Sequence, residues 1–156
     1  MNRKRIYMSG IIMSGIIAAA SLAYVVTSEG GERFSVRSLK GTYGFNGSGT
    51  LLGGTLQAAV VGLTSYDGAG GCRIKARLNA GGEVHSLTSA ECSYTVNPDG
   101  TGSIRVTFHE PPFTGPFVSD FVIVDNAKEL PFALSDPTGG TVAMGVATRQ
   151  MHGGKD

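Results

Sequence analysis

The sequence has no tryptophan, only two cysteines and three histidines, and charged residues make up 16% of it. An average soluble chain carries roughly 25% charge. Each shortage excludes some chemistry. His85, His109 and His152 share no helical i, i+4 spacing. With two cysteines they do not make the four-ligand set of a structural zinc site. Gly-x-Ser-x-Gly is absent, so a strained nucleophile turn has no motif behind it. Gly47-Ser48-Gly49 lacks the lysine and following helix of a phosphate loop. Asn97, Asp99 and Gly100 look like part of a calcium loop. Setting Asp99 at loop position five, however, leaves Thr95 and Val106 at the two ends, where carboxylates belong. That segment reads as a β-turn. No metal or cofactor is expected.

Positive charge is also scarce outside one place. Three of the 13 basic residues, Arg3, Lys4 and Arg5, sit at the extreme N-terminus, leaving ten against 12 acidic residues, a net charge of −2. No basic run or aromatic–basic patch survives there, so the electrostatic footprint of nucleic-acid binding is missing. Ile6 to Val26 carries no charge. A basic start, an apolar stretch and small residues at the exit describe a signal peptide over 1–23. Cleavage after Ala23 is expected, with Ala18-Ala19-Ala20 as the second choice. The same stretch is long enough to cross a ~30 Å hydrocarbon core, which leaves an uncleaved anchor to about residue 26 open. A buried core helix fits poorly, because the stretch has no polar face. Either of the first two readings puts the rest outside the cytoplasm: secreted or periplasmic, or anchored in the membrane through this segment alone.

What remains is glycine-rich, with 24 glycines in the whole chain, set singly or in pairs between short runs of β-formers. Residues 24–38 read as a linker, 39–150 as one β domain and 151–156 as a disordered tail. The runs are Lys40 to Asn46, Thr55 to Tyr66, Cys72 to Leu78, Glu83 to Thr88, Cys92 to Val96, Ser103 to Phe108, Phe117 to Val124, Glu129 to Leu134 and Thr141 to Thr148. Cys72, Ile74, Ala76 and Leu78 alternate with Arg73, Lys75, Arg77 and Asn79, which is the pattern of a half-buried strand with a wet basic face. About eight short strands at even spacing, with no helix after residue 26, predict an all-β sandwich or barrel. Hairpin-length connections favour up-and-down order, and closure removes the exposed edges. The expected fold is a small antiparallel up-and-down β-barrel.

Certain segments carry a resemblance. These are Ser38-Leu39-Lys40-Gly41-Thr42-Tyr43-Gly44-Phe45, Tyr66-Asp67-Gly68-Ala69-Gly70, Tyr94 to Gly102, and Val124-Asp125 with Lys128-Glu129-Leu130. In this order they resemble a set of exported bacterial proteins of unassigned function with calycin-type, allene oxide cyclase barrel-like domains. The resemblance spans about Leu39 to Arg149, and its motifs are mostly turns. It implies a closed barrel with a lumen. No residue matches a cyclase active site well enough to carry over.

Function is bounded rather than named by these observations. Small closed barrels hold one apolar ligand in the lumen, or fill the lumen with side chains. Tyr43, Phe45, Phe108, Phe117, Phe121 and Phe132 are the candidate lining residues. A barrel enzyme of cyclase or isomerase type, acting on a small apolar substrate, would need an ionisable group buried inside. A structural or interaction protein of the envelope would need an exposed apolar patch. His109-Glu110 would be an acid/base pair only if the loop bent, since neighbours on a strand point to opposite faces. Cys72 and Cys92 are expected to pair, as two cysteines of an exported protein usually do. They stand equidistant from Gly82, so a hairpin centred there sets them face to face.

Overall fold

The computed structural model describes residues 34–51, 53–111, 113–135 and 140–151. The targeting segment lies outside the described residues, as do most of the linker and of the C-terminal tail. Eight strands follow one another: β1 (Lys40–Leu51), β2 (Leu56–Asp67), β3 (Cys72–Ala80), β4 (Glu83–Val96), β5 (Thr101–Phe108), β6 (Phe117–Val122), β7 (Glu129–Leu134) and β8 (Val142–Arg149). Each pairs antiparallel with the next, and β8 returns to β1, closing an up-and-down barrel. The period of two drives this. In β2, the side chains from Leu56 to Tyr66 that share one face are covered, while Gln57, Ala59, Val61, Leu63, Ser65 and Asp67 are exposed.

Two strands differ from their sequence reading. β1 runs past Asn46 to Leu51. Gly47-Ser48-Gly49 has no apolar periodicity of its own, but it is paired on both sides, with Val60 to Ala58 and with Gly145 to Ala143. Glu83 to Thr88 and Cys92 to Val96 are one strand, β4, interrupted by a bulge at Ala90, where the register with β5 shifts between Ser89 and Glu91. The covered side chains of β4 are His85, Leu87 and Ser89 before the bulge and Cys92, Tyr94 and Val96 after it.

The bulge corrects the expected hairpin register. The β3–β4 turn is the pair Gly81-Gly82, with Ala80 opposite Glu83, not a turn centred on Gly82. Both glycines have positive φ, 61° and 100°, which a two-residue hairpin of this hand demands. Continued unbroken, that register would oppose Cys72 to Glu91 and turn Cys92 outward. The extra residue Ala90 restores the parity, and Gly71 then bridges Ser93. Cys72 and Cys92 are disulfide-bonded, with Cα atoms 5.0 Å apart. So the expected bridge forms in the expected pairing, which the chain reaches across the bulge and not directly from the turn. Between Lys75↔Thr88 and Gly71↔Ser93 the ladder is open, and the Ile74 N–H donates to Ser89 Oγ at 3.0 Å.

Glycine does more than turn the chain. Phe45 stands directly across from Gly62, Phe121 from Gly102 and Phe132 from Gly145. A Cβ on Gly62 would lie 2.7 Å from the Phe45 ring, and one on Gly145 would lie 2.6 Å from Phe132 Cζ. Each ring therefore lies over a bare stretch of the neighbouring strand, covering backbone that no side chain of its own protects. Of these glycines the sequence reading places only Gly102 in a turn; Gly62 and Gly145 fall inside β runs, with no sign there of the rings that cover them.

The barrel has two unlike ends. At one, Phe34 and Val36 pack against the core, and Val36–Ser38 forms a single 3-10 turn ahead of the fully buried Leu39. Residues 34–38, read from sequence as the end of a linker, thus form part of the barrel floor. At the other end are the β1–β2, β3–β4, β5–β6 and β7–β8 connections, including the proline-containing stretch between Phe108 and Phe117.

Candidate functional site

The floor is built from three tyrosines whose rings meet edge to face. Tyr43 and Tyr66 have centroids 5.3 Å apart, and Tyr66 and Tyr94 4.9 Å. Such contacts add to the area each ring buries. Tyr43 Oη donates to the Ala127 carbonyl at 2.6 Å, and Tyr94 Oη lies 2.9 Å and 3.0 Å from the Val36 and Leu39 carbonyls. The first of these bonds ties down an unusual turn. Asp125, Asn126 and Ala127 all have positive φ, which Asp and Asn tolerate and Ala resists. The Lys128 N–H donating to the Asp125 carbonyl closes the same turn. Burial raises the phenol pKa of all three tyrosines above its ordinary value, Tyr66 most of all.

Above this floor lies a cavity of about 160 Å³. It runs from Tyr66 up to Leu51, Phe113, Leu134 and Thr141 at the opposite end. Residue size explains where it is. The walls from β1, β2, β3 and β8 turn small residues inward, among them Gly47, Ala58, Ala76 and Ala147, while β5 to β7 contribute Ile104, Val106, Phe117, Phe121 and Leu130. A barrel of eight strands leaves room for side chains or for one small guest. Small residues on one half leave part of that room empty.

Of the six lining candidates, Phe45, Phe108, Phe117, Phe121 and Phe132 border the cavity. Phe45 and Phe132 meet edge-on at 6.2 Å, and Phe108 and Phe117 are tilted at 5.8 Å. Tyr43 is fully buried in the floor and does not reach the cavity. Thr64 and Tyr66, on the inward face of β2, escaped the sequence reading. Tyr66 had been absorbed into the turn motif with Asp67-Gly68. Counting by two from Val60 through Gly62 was the signal that would have found both.

Among the described residues, the cavity lining holds no carboxylate, imidazole, ammonium or guanidinium. His109 is exposed, and Glu110 accepts a hydrogen bond from the Thr88 N–H at 2.9 Å, so the two do not converge. His85 meets Phe113 edge to face at 5.1 Å, with Glu83 3.8 Å away. No group of three metal-ligating side chains occurs among the described residues. The Asp turns are structural: Asp67 Oδ1 accepts from the Ala69 and Gly71 N–H groups, and Asp99 Oδ1 from the Thr101 hydroxyl and N–H. Outside the barrel, exposed Val61, Leu63 and Met144 have Asn46, Gly44 and Ser48 as their partners on β1, so the apolar surface is broken up. No helix among the described residues is long and apolar enough to cross a membrane.

No family model and no curated protein matches the sequence. One similar solved structure is described as EF1p2_mFAP2b bound to DFHBI. It is 14% identical, with a TM-score of 0.49, covering 73% of this chain and 95% of that one. A likeness at that level says nothing about function.

Proposed function

We propose that the barrel is a binding protein that holds one small apolar ligand in its lumen, and that it works outside the cytoplasm. The observation that carries this is the cavity itself, about 160 Å³ and lined by hydrocarbon with a few hydroxyls. An apolar protein cavity of roughly 150 Å³ takes up benzene. Catalysis as a cyclase or isomerase has less support, because general acid–base work requires an ionisable group within reach of the substrate. Among the described residues, the only ionisable side chain on the lining is the Tyr66 phenol, which burial holds neutral. The extracytoplasmic setting is supported by the Cys72–Cys92 bridge and by the basic-then-apolar N-terminal sequence. Kinship with exported bacterial calycin-type barrels is part of the same reading and rests on the shared turn motifs.

Titration of the full chain with benzene, followed by NMR, tests the proposal. Saturable shifts are expected at Phe45, Val106 and Leu130, with none at Val61 on the outer face. Ala76→Leu, which fills the cavity, should abolish them. Shifts that fail to saturate, or that survive Ala76→Leu, would remove the lumen as the site.

A further inference from the structure

The lumen lining is hydrocarbon apart from a few hydroxyls, Ser119 and Thr141 among them, and two of these hydroxyls lie together on one strand. Thr64 and Tyr66 lie two residues apart on β2, on the same face, at the deep end of the cavity they both line. They are 4% and 7% exposed. Tyr43 and Tyr94 spend their hydroxyls on the floor carbonyls. Among the described residues, the Thr64 and Tyr66 hydroxyls have no hydrogen-bond partner. No described buried side-chain oxygen or nitrogen that is sealed off from space goes unbonded. The two free hydroxyls must therefore open onto the cavity.

A hydroxyl taken out of water without a partner is a net cost to the fold, and native proteins rarely keep one without a use. Phenylalanine would preserve both ring contacts of Tyr66, and valine is close to threonine in shape. Packing therefore does not explain the two oxygens.

Building on the lumen-binding reading, we propose that Thr64 and Tyr66 form the polar subsite of the lumen and select a compact, uncharged ligand carrying one hydrogen-bonding oxygen. A ketone, aldehyde or alcohol on an apolar frame of about one ring is the class that fits. The oxygen sits at the floor, where the Tyr66 hydroxyl donates to it, and the hydrocarbon points toward Leu51 and Phe113. A carboxylate does not belong there, because among the described residues no cationic side chain lines the cavity and an unpaired charge pays a large desolvation penalty. A pure hydrocarbon would offer neither hydroxyl a partner.

The test compares three ligands of one shape, cyclohexanone, methylenecyclohexane and cyclohexanecarboxylate, by NMR titration of the full chain and of a Tyr66→Phe/Thr64→Val variant. The expected result is that the variant binds cyclohexanone about ten-fold more weakly than the parent. Its affinity for methylenecyclohexane should stay the same or rise, and the carboxylate should bind neither protein. Should the double variant not fold, Tyr66→Phe alone carries the comparison with an effect of about five-fold. Unchanged cyclohexanone affinity in the variant, or tight binding of the carboxylate, would overturn the subsite while leaving the lumen reading intact. If none of the three binds the parent, the lumen reading falls and takes the subsite with it.

Discussion

Gly62→Ala adds one methyl group to the inward face of β2 and should be among the most damaging small changes in the barrel. The new Cβ would lie 2.5 Å from the Lys75 carbonyl oxygen and 2.7 Å from Cε1 and Cζ of Phe45, where ordinary contact begins at 3.4 Å. The ring can rotate or lean away. The carbonyl cannot, because it belongs to the paired β3 backbone. Overpacking of this kind costs about 1–3 kcal/mol, and the fixed carbonyl places Gly62→Ala in the upper half of that range. For a domain of this size, 1 kcal/mol moves the midpoint by about 4 °C, so thermal unfolding followed by circular dichroism should show a drop of about 8–12 °C. Gly115→Ala is the control, since a Cβ there meets nothing within 4 Å, and it should change little. Phe45→Ala alone removes a large packed ring, worth about 3–5 kcal/mol at a fully buried site and less at this half-buried one. Combined with Gly62→Ala it should cost less than the sum of the two, because part of the clash disappears with the ring. Equal midpoints for Gly62→Ala and Gly115→Ala would refute the ring-over-glycine account, and strict additivity in the double variant would refute the pairing of these two residues.

Two further outcomes follow from bonds described above. Cys72→Ala/Cys92→Ala should lower stability by up to about 3 kcal/mol, the chain-entropy value for a separation of 20 residues. The figure is an upper one, because the β3–β4 hairpin already holds the ends together. Denaturant melts should show a lower midpoint with the barrel still folding, and an unchanged midpoint would remove the claimed contribution. Hydrogen bonds lower the pKa of Asp67 and Asp99, chiefly from the Ala69 N–H and the Thr101 hydroxyl respectively. A carboxylate with a depressed folded pKa adds stability above its unfolded value, near 3.8, and that stability is lost as the pH falls through the folded value. The melting temperature should therefore fall on acidification below pH 4, and Asp67→Asn/Asp99→Asn should flatten that fall. An identical acid limb in the double variant would count against both turns.

The sequence reading found most strands because their alternation is undisturbed, as in Cys72 to Leu78, and found their order because nearly every connection is too short for a crossover. It split β4 in two because one inserted residue, Ala90, reverses the inward parity, and a period of two cannot be followed across such a break. Nothing local marks that residue, an alanine between Ser89 and Glu91. Its effect appears only when the strand is laid against both neighbours. The lumen was partly legible, since large aromatics on an inward face must meet somewhere in a closed sheet. Which of them border empty space was not. That depends on the small residues opposite, Gly47, Ala58, Ala76 and Ala147, and on Phe45, Phe121 and Phe132 lying over glycines of adjacent strands. Tyr66 was missed because a polar residue next to Asp67-Gly68 reads as turn chemistry, and Thr64 because the candidates were chosen among aromatics. Their position at the end of a strand only becomes a position at the bottom of a cavity once the barrel closes.

An even number of antiparallel strands brings the chain back to the end from which it set out. β1 begins and β8 finishes beside the tyrosine floor, Lys40 and Arg149 being joined there by a hydrogen bond from the Arg149 guanidinium to the Lys40 carbonyl. Whatever is fused ahead of the barrel or behind it, whether a tether, a purification tag or a second domain, is therefore attached at the sealed base. The ring of loops around Phe113 stays turned the opposite way, like the rim of a cup held by its foot. An attachment at either terminus joins the end away from Phe113, and a probe placed on one terminus reports on the base.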